Sequence, residues 1–407
     1  MILSIAWRNV WRNKLRSLVV VLATAIGLFG SIFMIALMNG MMQQKVDDTI
    51  NNEISEIQIH NPRFLEEESV QFYITDPGKV EDVLKTEPGI RSYTMRVKAS
   101  GMASTAHSGN GVMINGIYPE MEKKVSDIYK SMTDGSYFEK SSRIPSIIIS
   151  KKLAEHLEAG IGNKVVLTTA ALNGETAQSL FRVEGIYHTS NNIFDEMNVF
   201  IRAEKLENMV APGDGIISEF AIRLDHDSDV NSAAASLGSL LPELSVQSWK
   251  QLSPSLMALV GMMDQFSYIL VLIILLALTF GIVNVMLMAI IERTRELGML
   301  MAIGMNRKRV FLMIMLETIF MSVTGAIIGV IISMGTIALT ARHGINFAAW
   351  SEGFEAYGYS AHVYPVVETA FYIFLGIMVI IAASMASVWP ARKALKLQPA
   401  DAIRDES

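Results

Sequence analysis

The sequence predicts an α-helical membrane protein with four transmembrane helices and a large α+β extracytoplasmic domain inserted between helices 1 and 2. Three observations carry that prediction. Four stretches reach the roughly 20 apolar residues that a bilayer core demands: Ser17 to Met38, Phe266 to Ile291, Phe311 to Leu339 and Ala370 to Val388. Only the third contains a charge, Glu317. Basic residues gather on one side of these stretches. Finally, the segment between the first two stretches alternates strand-like and helix-like patterns and is long enough to bury a core of its own. A composition of 51% hydrophobic and 18% charged residues fits such a mixture.

Residues 1–16 read as a short interfacial helix, although simple positive-inside flanking charge explains the arginines about as well. Leu3, Trp7, Val10 and Trp11 share one face, and Arg8, Arg12 and Arg16 another. Tryptophan suits the headgroup level and arginine an anionic surface. Residues 17–38 form the first span. This stretch is too long for a signal-peptide core, and no clear small-x-small cleavage site follows it, so it is expected to be retained.

Residues 39–265 form the extracytoplasmic domain with its stalks. Gly40 to Asn52 continues the first helix. SEIQIH (Ser55 to His60) reads as a strand and Gly78 to Thr86 as a helix. Ile90 to Lys98, Gly111 to Gly116, Ser146 to Ser150, Lys164 to Thr169, Leu180 to Tyr187 and Glu219 to Leu224 read as strands. Lys151 to Glu158 and Asp229 to Leu241 read as helices. Strand order is not legible.

The second span is 266–291, the third 310–339 and the fourth 370–388, and 292–309 is a cytoplasmic segment between the second and third. The 340–369 loop holds Phe347, Trp350, Phe354, Tyr357, Tyr359 and Tyr364, which suggests packing at the membrane interface or against the stalk. Residues 389–407 form the tail. Arg8, Arg12, Lys14 and Arg16 precede the first span. Arg293, Arg295, Arg307, Lys308 and Arg309 separate the second from the third, and Arg392, Lys393, Lys396 and Arg404 follow the fourth. The 340–369 loop has Arg342 alone. The basic bias places both termini and 292–309 in the cytoplasm.

Catalytic signatures are missing. There is no G-x-x-x-x-G-K-[ST], no H-E-x-x-H and no G-x-S-x-G. His60, His107, His156, His188, His226, His343 and His362 show no metal-ligand spacing. Asp225, His226, Asp227 and Asp229 form the densest polar knot and read as a solvated turn. Without cysteine there is no disulfide or thiolate metal site. A net charge of -6 gives no sign of nucleic-acid binding.

The informative segment is ERTRELGMLMAIGMNRKR, Glu292 to Arg309. Leu297, Leu300, Met301 and Gly304 fall at i, i+3, i+4 and i+7, while Glu292, Arg295, Glu296 and Met299 take another face. That pattern fits an amphipathic helix able to dock a partner, and it equally fits an ordinary interfacial loop. Small residues recur four apart in the spans: Ala23 and Gly27, Ala277 and Gly281, Gly325 and Gly329. In lipid such spacing lets helix backbones approach closely.

Three blocks, in order, resemble the FtsX-like permease family of ABC transporters, which includes the macrolide-efflux and lipoprotein-releasing permeases. They are AWRNVWRNKLRSLVVVLATAIG (6–27), NVMLMAIIERTRELGMLMAIGMNRKRVFLMIMLETIFMSVTGAIIGVIIS (284–333) and WPARKALKLQPADAIRDE (389–406). FRVEGIYHTSNNIFDEMNVFIRAEKLENMV (181–210) resembles the family's MacB-like outer domain. Met301 stands where the family usually has a basic residue. The resemblance implies a permease without ATP or Mg of its own, paired with a second copy or a paralogue, and driven by two separate ABC ATPase subunits. It makes Glu292, Arg295, Glu296, Gly298 and Gly304 an ATPase-coupling segment, with Gly298 letting the ATPase surface come close. VQSWKQLSPSL and the 345–365 loop are most similar to the lipoprotein-releasing branch, implying a lipoprotein cargo; drug efflux or hydrolase activation is the alternative. Glu317 is either a relay or a carboxylate paired to a basic group of the N-terminal or coupling segment. The family is not proton-driven, which favours the pair.

Overall fold

The computed structural model describes residues 2–12, 14–139, 143–213, 215–226 and 230–395. Asp227 and Asp229 of the polar knot, and Lys396 and Arg404 of the tail, lie outside the described residues. So does the side chain of Arg16.

In chain order, α1 (Ile2–Arg12) leads to the long α2 (Lys14–Thr49), which ends in a π turn (Ile50–Ile54). Then come β1 (Ile57–His60), α3 (Phe64–Glu67), α4 (Pro77–Thr86), β2 (Ile90–Ser104), β3 (Gly109–Ile117), α5 (Pro119–Glu122), β4 (Met132–Gly135), β5 (Ser146–Ser150) and α6 (Lys151–His156). Next are β6 (Lys164–Ala170), β7 (Thr176–Tyr187), α7 (Asn192–Met197), β8 (Asn198–Arg202), α8 (Ala203–Val210), β9 (Glu219–Leu224), α9 (Val230–Leu240), β10 (Ser245–Ser248) and α10 (Trp249–Leu252). The chain continues with α11 (Pro254–Glu292), α12 (Thr294–Ala302), α13 (Arg307–His343), β11 (Ile345–Asn346), α14 (Ser351–Ala356), β12 (His362–Val363) and α15 (Thr369–Leu395).

Two compact units result: residues 1–42, 260–346 and 362–407, and residues 43–259 with 347–361. Among the described residues, four helices are long and apolar enough to cross a membrane: Ser17–Ile54, Pro254–Glu292, Arg307–His343 and Thr369–Leu395.

The helical unit packs two apolar clusters. One gathers Ala6, Val10, Ile282, Met286, Leu297, Val310, Met313 and Ala386. The other gathers Leu28, Ile32, Ile35, Val271, Ala326, Ile337, Leu375 and Val379. The expected α1 stripe needs correcting. Val10 and Ala6 are buried, whereas Leu3, Trp7 and Trp11 stay about half exposed. The small side chains of Ala6 and Val10 let α1 settle on α13. The bulky rings remain outside, with Trp7 edge-on to Trp11 at 5.9 Å and to Phe320 at 5.6 Å.

The second unit is built on one sheet, in the order β10-β1-β9-β2-β3-β8-β5-β7-β4, with β6 pairing β2 and β7. Pairs β3–β8 and β5–β7 are parallel; the other strand pairs of this sheet are antiparallel. The apolar run Ile147, Ile148 and Ile149 of β5 is fully buried, as suits a central strand between β8 and β7. In β6 alternate residues Val165, Leu167 and Thr169 turn inward. The predicted strands β1, β3, β5, β6, β7 and β9 are present, with β3, β6 and β7 longer than expected. Three strands were not foreseen: β4, β8 and β10. The helix expected to reach Glu158 stops at His156, because Glu158 takes a left-handed φ of 50°. Where β2 was expected to end at Lys98, it runs on to Ser104. Gly101 makes this possible: a side chain there would stand 2.4 Å from the Thr168 carbonyl oxygen of β6.

Candidate coupling site

The segment 292–304 turns sharply between two long helices. α11 ends at Glu292, Arg293 leaves helical geometry, and α12 begins at Thr294. Arg293 is the hub. Its Nε donates to Glu296 Oε2 at 2.9 Å and its Nη1 to Glu317 Oε2 at 3.2 Å. Asn9 of α1 donates from Nδ2 to Glu317 Oε1 at 2.6 Å. Arg12 of α1 pairs with Glu296 as well. One guanidinium thus joins α12 to α13, and α1 closes the ring from the other side.

Burial sorts these contacts. The Arg293 and Glu317 side chains are 14% and 6% exposed. Removing one partner from so buried a pair takes away the nearest opposite charge, at a cost of about 3–5 kcal/mol. Arg12 and Glu296 are about half exposed, so their pair contributes at most about 1 kcal/mol. Hydrogen bonding from Arg293, joined by Arg12, holds the Glu296 carboxyl below its ordinary range.

Each expected site residue can now be located. Glu292 and Arg295 are exposed. Glu296 is engaged within the chain and is not an open contact. Gly298 corrects the expectation most clearly: with Leu297 it is buried inside the helical unit, not turned outward. Leu297 anchors α12 in the apolar cluster, and Leu300 and Met301 pack beside it. Gly304 lies past the end of α12 rather than on its apolar face. It has φ +99°, and its N–H reaches the Met301 carbonyl at 3.1 Å, a left-handed turn that ends the helix. Asn306 then caps α13 by accepting from Lys308 N–H. The outward surface of α12 is therefore Arg295, Met299, Ala302 and the 85% exposed Ile303.

Sequence reasoning missed Arg293 and Asn9. The available signal was the E-R-T-R-E run, in which Arg293 stands three residues before Glu296, together with the need of an intramembrane Glu317 for a cation.

The small-residue pairs divide. At Gly325 an added Cβ would stand 2.6 Å from the Val21 carbonyl oxygen, and at Gly329 2.7 Å from that of Ala25. The third span therefore lies backbone to backbone on the first. A Cβ added at Gly27 would stand 2.9 Å from the Leu278 side chain. A Cβ added at Gly281 would meet nothing within 4 Å, and with Ala277 this residue lines an open groove of about 480 Å³ between α2 and α11. Those two residues do not form the close contact their spacing suggested.

Within the other unit, Lys45 of α2 holds the 347–361 loop. Its Nζ donates to the carbonyls of Tyr357 at 2.6 Å and Gly358 at 3.0 Å and lies 4.8 Å over the Tyr359 ring. Asp48 accepts from Ser190 and Glu53 from Asn191. Of the loop aromatics, Tyr359 thus packs against the stalk end of the first helix, whereas Trp350 and Tyr357 stay exposed. Deeper in the sheet, Arg96 bonds Glu122 at 2.6 Å and Glu219 at 2.8 Å, and Lys98 reaches Glu219 at 2.6 Å. Among the described residues, no group of His, Cys, Asp and Glu could hold a metal ion.

Comparison with known proteins adds the following. The family model for the MacB-like periplasmic core domain matches residues 17–240, and that for the FtsX-like permease C-terminal region matches 268–399. The macrolide export ATP-binding/permease protein MacB of Chlorobium luteolum is 36% identical over 31% of this chain, but over only 16% of its own length. The lipoprotein-releasing system transmembrane protein LolC of Neisseria meningitidis is 23% identical, covering 78% of this chain and 79% of LolC. The ABC transporter permease YvrN of Bacillus subtilis is 24% identical over 99% of this chain and 98% of its own.

Proposed function

This chain belongs to the MacB and FtsX-like family of membrane-spanning ABC transporter permeases, and on that premise we propose that it is the force-receiving subunit of an inner-membrane complex. In this reading two separate ABC ATPase subunits hold ATP and Mg. They act on two permease chains, either two copies or one copy and a paralogue. Both termini and α12 face the cytoplasm. ATPase closure displaces α12, and the displacement reaches the spans because α12 is not a free loop. The observation that carries the reading is the Arg293 hub, whose guanidinium bonds Glu296 of α12 and Glu317 of α13 at once. A driven element needs a stiff joint to what it drives, and a buried ion pair beside a packed Leu297 supplies one.

Lipoprotein release is the favoured task. The LolC likeness covers 78% of this chain, whereas the MacB likeness covers 31%. Macrolide-type efflux is the second reading, supported by the match of residues 17–240 to the MacB-like core domain.

The test follows from the outward surface of α12. Arg295→Glu is expected to weaken co-purification of the ATPase by about 1–3 kcal/mol, the cost of losing one partner of a charged interface pair. It should also lower ATP turnover stimulated by the permease. Lys393→Glu, an exposed basic residue on α15, serves as control. If Lys393→Glu weakens the complex and Arg295→Glu leaves it intact, α12 is an interfacial loop and the coupling role is wrong.

A further inference from the structure

A second groove of the helical unit differs from the one beside Gly281. It measures about 710 Å³ and is lined by Val10 and Trp11 of α1, by Lys14, Leu15, Ser17, Leu18 and Val21 of α2, and by Thr324 and Ile328 of α13. That size falls within the ~300–1,000 Å³ of small-molecule sites. The hydroxyls along it are already satisfied by backbone carbonyls, that of Ser17 across to α1 and that of Thr324 within α13. Ser17 donates to the Val10 carbonyl and Thr324 to that of Phe320 at 2.8 Å. What remains to line the cavity is hydrocarbon, with one ammonium. Lys14 is exposed, and among the described residues no carboxylate pairs with it. Arg8 on the neighbouring helix is exposed too, whereas Arg12 is occupied by Glu296. Trp11 adds an amphipathic ring at the same level.

We propose that this groove binds one anionic phospholipid, its acyl chain along Leu18, Val21, Thr324 and Ile328 and its phosphate on Lys14. Charge decides among occupants. A zwitterionic lipid fits the hydrocarbon lining equally well but gains nothing net from Lys14, since its own cation offsets the attraction. The groove beside Gly281 is the internal contrast: its lining contains no cation, so it has no means of choosing a headgroup. The lipid is a resident one, wedged where α1, α2 and α13 meet, and it completes their packing without taking part in the ion pairs of Arg293.

Native mass spectrometry of the purified full chain tests this, with dioleoyl phosphatidylglycerol and dioleoyl phosphatidylcholine offered in equal amounts. We expect one tightly retained lipid, with phosphatidylglycerol favoured about fivefold, the preference one lysine confers near an anionic headgroup. Lys14→Gln should abolish the preference while leaving some retention of both lipids. Ile328→Trp should lose both, and Leu18→Trp repeats that test should the first variant fail to fold. Equal retention by the unaltered chain would overturn the proposal, as would an undiminished preference in Lys14→Gln. The chain has no cysteine of its own, so Leu18→Cys provides a clean third arm. A disulfide-linked dimer formed in native membranes would mean that a second copy, not a lipid, covers the groove.

Discussion

Arg293 illustrates how much one side chain can be asked to do. Arg293→Ala should destabilise the helical unit by about 3–5 kcal/mol, because the buried Glu317 carboxylate loses the guanidinium 3.2 Å away. The paired change Arg293→Met with Glu317→Leu should be far milder, since it removes both charges. Thermal unfolding in detergent reads the difference, and a double variant no better than the single one would show that packing, not charge, holds the joint. A second residue-scale prediction concerns His60 and Glu219 of the sheet. Burial pushes His60 down to about 4; Glu219, although burial opposes its charge, is held at about 2 by Lys98, Arg96 and His60. His60 binds fewer protons folded than unfolded between pH 6.5 and about 4, so stability falls as pH drops through that window. The contribution of Glu219 is complete above pH 4.5 and lost on the way down to about 2. Hydrogen-exchange protection factors of β1, β2 and β9, taken relative to the intrinsic exchange rate at each pH, should therefore fall below pH 6.5, by an amount corresponding to at most about 3 kcal/mol per group. His60→Gln should erase the upper part of that decline, and an unchanged profile would refute the assignment. Glu317 could be read from sequence as a charge in need of a partner, because an apolar span makes any carboxylate conspicuous. Arg293 could not be singled out, since five basic residues share its loop and only the fold decides which turns inward.

Among the elements, the helices of the bundle were legible and their contacts were not. Hydrophobic length identifies a span, but four-residue spacing of small residues recurs on faces that pack and faces that do not. Gly325→Leu and Gly329→Leu should each disrupt the seat of the third span on the first, for the carbonyls of Val21 and Ala25 cannot yield. Gly281→Leu should be tolerated in comparison, with thermal stability and assembly as the measurements. Equal damage from all three would mean that the groove beside Gly281 closes in the membrane. In the sheet, strands rich in branched residues announced themselves, as Ser146 to Ser150 did. The second half of β2 hid behind A-S-G-M-A-S, whose small and polar residues read as loop, although they are what close crossing by β6 requires. β4 and β10 are only four residues each and carry mixed polar sequence, too short for alternation to show.

At the scale of the whole molecule, the architecture of spans and inserted domain was available from hydropathy alone, whereas strand order depends on distant pairings that no local pattern encodes. Purification from native membranes under mild detergent should bring down an ATPase of about 25 kDa, a single-domain size. A clean, ATPase-free permease would count against the proposed role. The short ladder of β11 and β12 has a further consequence. Ile345 faces Val363 and Asn346 faces His362, so the chain leaves and re-enters the helical unit through adjacent points, about 5 Å apart as in any antiparallel pair. Whatever lies between those points can lengthen, shorten or be exchanged over descent without re-threading a span. Residues 347–361 thus form an insert whose ends are clamped side by side, so that its length does not set the spacing of the two helices it joins.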